Sequence, residues 1–260
     1  MDIGSHLREW RQRRRLSQLD LAVSAEISTR HLSFIETGRS QPSRDMVLRL
    51  AEQLEVPLRA RNALLVAAGF APVFSERPLD DPALGSARAA MQQVLRGHEP
   101  YPALAVDRHW TMLAANAAVG RLVSGVAPHL LAPPVNVLRL SLHPEGLAPR
   151  IANLAEWRTH LLVRLRRQID VSADPVLESL MQELAALPAP KSPRPARPVG
   201  PEAAVVVPLQ LHSDAGLLML ISTTTVFGTP LDITVAEIAL ETFFPADTST
   251  AEKLRQLAGP

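Results

Sequence analysis

Along the first seventy residues apolar side chains recur at helical spacing, and each run ends in a capping or turn residue. Leu7 and Trp10 stand i, i+3 on a first helix, which an arginine-rich stretch closes. Ser17 is placed to cap a short second helix that buries Leu21 and Ala22. A third helix begins near Ser28 with Leu32 and Ile35 as its inward positions and Ile27 as an anchor before it. It stops at Thr37-Gly38, where glycine accepts the left-handed conformation. Ser43 starts a fourth helix carrying Met46, Val47, Leu50, Ala51 and Leu54, and Pro57 opens a fifth that Gly69 ends.

From residue 70 to 82 the periodicity disappears and prolines accumulate, the pattern of a connector. A helix follows at 84–95. Residues 101–114 then read as a β-hairpin turning at Asp107-Arg108. Ile151, Leu154, Trp157 or Arg158, Leu161 and Leu165 mark one face of a long helix over 151–168, and Asp174-Pro175 starts another. Six prolines in 188–201 leave little to bury and predict an irregular loop. Two β-rich runs, 204–212 and 217–226, flank the turn residues Ser213 to Gly216, with a further strand at 238–244 and a closing helix at 247–257. The pattern therefore predicts two domains: an all-α five-helix domain over 1–70, a linker over 71–84, and an α/β domain with an antiparallel sheet over 85–260.

Composition narrows the function classes. Apolar residues make up 47% and charged residues 20% of the 260, enough aliphatic surface for sizeable cores. The absence of cysteine removes disulfides, thiolate metal sites and thiol nucleophiles, and fits a reducing cytoplasm. No apolar run reaches the ~18 residues of a membrane span, and the N-terminus is not signal-like. The eight histidines show no i, i+4 pair, so no helical metal site is expected. No nucleophile elbow, phosphate-binding glycine loop or dinucleotide fingerprint occurs. The sequence proposes no reaction and no cofactor.

The net charge of +1 is uninformative, but five arginines stand against Glu9 alone between residues 8 and 15. That cluster is either a solvated helix face or a phosphate contact through Arg14 or Arg15. With Leu32 and Ile35 turned inward, Thr29, Arg30, Ser33 and Phe34 share the outward face of the third helix. Such a face suits a major groove: arginine reads guanine bidentately, hydroxyls read several edges, and a phenyl ring meets a thymine methyl. Phe34 has the equal alternative of packing on a neighbour or a dimer partner. Ser28 opens this helix, Gln18 at the start of the second helix would meet a phosphate, and Arg39 and Ser40 would touch the backbone beyond the third. His31 is a bystander on its flank.

These residues carry a resemblance. Ser17-Gln18, Leu21-Ala22, Ile27-Ser28, Leu32-Ser33, Ile35-Glu36-Thr37-Gly38-Arg39 and Pro42 are similar to the phage-repressor-like, or Xre-type, helix-turn-helix family. The resemblance implies a five-helix bundle acting as a homodimer on a palindromic double-stranded DNA operator, with half-sites about one helical turn apart. It also implies that Glu36 is structural, paired with an arginine of the first helix. Family members often carry a small polar residue or glycine where Glu26 stands.

In the second domain, strand alternation would turn Val106, Leu113, Val205, Val207, Met219 and Ile221 toward a shared space, with Leu161 and Leu165 from the long helix. The alternative is that these are plain core. Arg139, Arg158 and Arg164 are candidates to hold a carboxylate, and Asn116 is read as the cap of a following helix. This region resembles the MmyB-like regulator ligand-binding domain, which is PAS-like, through residues 98–110 with Asn116, 136–144, Trp157-Arg158, 226–232 and 243–247. The resemblance implies an apolar cavity for a small molecule, a fatty acid or similar lipid-like compound. The expectation is a dimeric transcription regulator, not an enzyme, whose operator binding responds to an apolar ligand. The alternative is a regulator whose second domain only dimerises or binds a protein partner.

Overall fold

The structure, a computed structural model, describes residues 2–188 and 206–259. All but the first residue of the proline-rich stretch at 188–201, and Val205, lie outside the described residues. The chain divides into two compact units. One comprises Met1–Arg77, Gln168–Ala173 and Pro230–Ala236, and the other Pro78–Arg167, Asp174–Thr229 and Glu237–Pro260.

The first unit contains α1 (Ile3–Arg13), α2 (Gln18–Ser24), α3 (Thr29–Glu36), α4 (Arg44–Gln53) and α5 (Leu58–Ala67). The caps behave as their chemistry requires. The side chains of Asp2, Ser17, Ser28 and Ser43 each accept an amide N–H of the first turn of their helix, and Asp20 completes a capping box with Ser17. Leu7, Leu21, Leu32, Ile35, Leu50, Leu54 and Leu65 are fully buried in one core, and each contributes about 1.5–3 kcal/mol by leaving water. The tight turns use left-handed residues, Arg15 at φ 56° and Glu26 at φ 55°, besides Gly38 at 71°. Glu26 thus occupies a conformation that would suit glycine better, and the neighbouring helices hold it there. At Gly4, α1 passes so close to the end of α3 that a Cβ would overlap the Ile35 carbonyl oxygen and lie 2.9 Å from the Glu36 carbonyl carbon.

Beyond this region run α6 (Gly85–Gly97), β1 (Ala103–Val106), β2 (Met112–Ala115), α7 (Ala117–Leu122), α8 (Pro128–Leu131), α9 (Val137–Leu142), α10 (Leu154–Ser172), α11 (Pro175–Ala186), β3 (Leu209–Ser213), β4 (Gly216–Val226), α12 (Ile233–Ala236), β5 (Ala239–Pro245) and α13 (Thr248–Ala258). The five strands form one antiparallel sheet in the order β2-β1-β5-β4-β3. Both expected hairpins form, and the second turns at Ser213 to Gly216. The long helix starts three residues later than its apolar pattern suggests, because Ile151 pairs with Leu211 in an isolated bridge before the helix begins. The short helices α8, α9 and α12 were not legible in the sequence.

Register decides which side chains share a face. On one face of the sheet Ala103, Ala105 and Leu240 pack with Met91 and Leu95 of α6. On the opposite face, pairing places Leu104 against Glu241, Ser222 against Phe243, and Leu209 against Leu220. Asn116 ties the first face together. Buried, it accepts the Ala103 amide at 3.1 Å, donates to the Tyr101 and Leu95 carbonyls at 2.7 and 3.2 Å, and caps α7.

Candidate nucleic-acid interface and ligand cavity

The third helix turns the way its pattern demands. Leu32 and Ile35 are fully buried, Ser28, Thr29 and Arg30 are exposed, and Ser33 and Phe34 are half-buried at the edge of the outward face. Phe34 is flanked by two guanidiniums, Arg30 at 5.3 Å and Arg39 at 5.9 Å from its ring centroid. The ring therefore supports cations as well as offering an apolar edge. The Phe34 carbonyl receives the amides of Arg39 and Ser40 at 2.8 and 3.1 Å, which sets both residues at the end of α3. Thr29 and Arg30 thus open α3, Ser33 and Phe34 stand along it, and Arg39 and Ser40 follow its C-terminal end.

Gln18 has a partner inside the helical unit. Its side-chain amide donates to Glu36 Oε2 at 2.8 Å, so the group offered to a phosphate is first of all the partner of a buried carboxylate. Glu36 also accepts Arg11 Nε at 2.6 Å and Arg11 Nη2 at 2.9 Å, and Arg8 lies 3.5 Å away. Burial pushes the Glu36 carboxyl up, but the hydrogen bonds from Arg11 and Gln18 and the charges of Arg11 and Arg8 outweigh it and hold the pKa below the ordinary glutamate range. The arginine cluster is correspondingly structural in part. Arg13 pairs with Glu9, and Arg14 donates to the Leu54 and Glu55 carbonyls at 2.8 and 3.0 Å.

The second unit holds an apolar cavity with an empty volume of about 820 Å³, its open mouth included. Leu104, Met112, Leu209, Leu211, Leu220 and Phe243 line it from the sheet, and Val119, Leu122, Leu138, Leu140, Trp157 and Leu161 line it from α7, α9 and α10. Trp110, held at φ 66°, adds its ring from the β1–β2 turn. Polar groups are few. Trp157 Nε1 donates to Ser141 Oγ at 3.0 Å. Arg164 donates to both oxygens of the buried Glu241 and, at 2.6 Å, to Thr224 Oγ1, with its guanidinium 4.6 Å from the Trp110 ring centroid.

Of the residues expected to meet a ligand, Leu161 and Arg164 line this cavity. Met219 and Ile221 do not, because the other parity of β4, Leu220 and Ser222, faces inward. The run from Leu217 to Ile221 is apolar on both faces, so alternation alone left the choice open. Leu113 packs with the α6 cluster instead. Val106 and Leu165 are buried core away from the cavity, and Val207 precedes β3. Arg139 is engaged by Glu183 through two bonds of 2.7 Å, and Arg158 donates to the Leu184 and Ala185 carbonyls at the end of α11. Arg164 does hold a carboxylate, that of the protein's own Glu241. The signal for Glu241 was a single acidic residue inside an apolar strand. Elsewhere His129, His143 and Glu145 bring one ligating atom each within 4.8 Å of one another, but Nδ1 of His143 already accepts the Glu145 amide at 3.1 Å.

Residues 2–64 match the family described as a helix-turn-helix domain. Residues 87–257 match the MmyB-like transcription regulator ligand binding domain. No curated protein matches the chain in sequence. Among the described residues no helix is long and apolar enough to cross a membrane. The second match spans more than half of the chain, so the protein belongs to the MmyB-like transcription regulator ligand-binding domain family, and its N-terminal helix-turn-helix domain makes it a DNA-binding transcription regulator.

Proposed function

We propose that the protein binds a palindromic operator as a homodimer and that an apolar small molecule in the second unit changes its affinity for that operator. The observation that carries the ligand half of this reading is the apolar cavity, walled by leucine, valine and aromatic side chains, in a domain of a ligand-binding family. The DNA half rests on the outward face of α3, where Thr29 and Arg30 are free of the core and Phe34 steadies Arg30. Arg30 reads a base edge, and Ser28, Thr29, Ser33, Arg39 and Ser40 contribute hydroxyl and phosphate contacts. Regulation requires that the ligand bind one dimer arrangement more tightly than another, because equal affinity shifts nothing.

Selection of bound sequences from a random duplex pool tests the first half: a recovered site with two-fold symmetry supports the dimer, and an asymmetric one removes it. Footprinting on the recovered site with and without long-chain amphiphiles tests the second. Operator affinity that stays the same when the cavity is filled removes the sensor reading.

A further inference from the structure

The cavity's polar groups say what kind of head group it accepts, an inference that rests on the cavity being a ligand site. Arg164 and Glu241 both line it, and they neutralise each other. Glu241 Oε1 accepts from Arg164 Nη2 and from Thr224 Oγ1, and Oε2 accepts Arg164 Nη1 at 2.9 Å. Each carboxylate oxygen offers two lone-pair directions, so Oε1 is filled and Oε2 keeps one acceptor position. Arg164 Nη2 is committed to Glu241 and Thr224, and the Trp110 ring lies over the guanidinium. The other polar side-chain groups among the described lining residues are the hydroxyls of Ser141 and Ser222 and the indole N–H groups of Trp110 and Trp157, all uncharged.

Among the described residues the charge on these walls sums to zero. An ionised head entering the space would lose its hydration without meeting an unopposed cation, and it would approach the Glu241 carboxylate. A hydroxyl or amide N–H finds the open acceptor on Glu241 Oε2. A hydroxyl or carbonyl oxygen takes the hydrogens that Arg164 and the two serines have left, which serve a neutral acceptor as well as an anion. We infer that the cavity takes an uncharged amphiphile, an apolar chain ending in a hydrogen-bond-donating head such as an alcohol or primary amide, in preference to the free carboxylate of the same chain length.

The test uses the full chain and three probes of matched length: dodecanol, dodecanamide and laurate, measured by displacement of an environment-sensitive fluorophore at about pH 8, where a fatty carboxyl is ionised. The expected result is that alcohol and amide bind at least about tenfold more tightly than laurate. Laurate binding as well as or better than the alcohol overturns the inference while leaving the cavity a ligand site. Failure of all three to bind overturns the ligand-site reading and the inference with it. Glu241→Gln leaves Arg164 unopposed, and the order of preference should then reverse toward laurate by about tenfold. A folded variant, judged by its circular dichroism, that keeps the wild-type order also overturns the inference. The wild-type comparison decides the matter if that variant does not fold.

Discussion

Arg11 and Glu36, 25 residues apart in the chain, form a two-bonded pair of 2.6 and 2.9 Å that joins α1 to the end of α3. The same guanidinium donates to the Leu16 carbonyl at 2.8 Å, fixing the turn into α2, while Gln18 approaches the carboxylate from the start of that helix. One buried acid therefore sets the mutual position of the three helices that carry the helix-turn-helix. The outward face of α3 is precise because its inward end is held by charge as well as by packing.

Removing the acid leaves Arg11 without its partner in a mostly buried place. Glu36→Ala is expected to destabilise the helical unit by about 3–5 kcal/mol, measured by denaturant unfolding of the full chain. A loss below about 1 kcal/mol would show that the pair is no more than a surface ion pair in effect.

The lowered Glu36 pKa gives this stability a pH dependence. A carboxyl whose folded pKa lies below its unfolded value contributes stability above the unfolded pKa, and that contribution is lost as pH falls through the folded pKa. The wild-type helical unit should thus weaken as pH drops below the ordinary glutamate range, and Glu36→Gln should flatten that part of the curve. Thermal melts across acidic pH check this, and parallel curves for the two proteins would contradict it.

Arg30→Ala is expected to relax sequence preference, at about 1–3 kcal/mol on the preferred site. Phe34→Ala removes the ring that supports both Arg30 and Arg39, so it should reproduce part of the loss. Gln18→Ala should weaken all sequences alike and also lower stability by about 0.5–1.5 kcal/mol, since Glu36 loses a donor. Competition binding against variant duplexes separates these effects, and a uniform loss for Arg30→Ala would take base reading away from it.

Close approach at Gly4 is the remaining point of risk in the helical unit. Gly4→Ala raises helix propensity, yet its Cβ must displace the backbone of α3 at Ile35 and Glu36, so a net destabilisation of about 1–3 kcal/mol is expected. An equal or higher melting temperature would mean that α1 yields without strain.

The helical unit was legible because its information is local. Capping serines, i, i+3 and i, i+4 apolar pairs and the Gly38 turn each act within a few residues, so Ser17, Ser28, Ser43, Leu32 and Ile35 stand where the pattern puts them. Arg11 as the partner of Glu36 was foreseeable in kind, as an arginine of the first helix. The bond from Gln18 to the same carboxylate was not, because only folding brings α2 and α3 together.

The strands were legible too, but their facing was not. A sheet covered on both sides lacks the polar alternation that marks an outside, so Leu217 to Ile221 could not say which parity meets the cavity. By itself the sequence determined the five helices of the N-terminal unit, their capping serines, the outward residues of α3 and the hairpins, since these depend on neighbours along the chain. Tertiary structure alone decided that Leu220 and Ser222 face inward, that Arg164 meets Glu241, and that Gln18 serves Glu36, since each depends on register and packing between segments far apart in the chain.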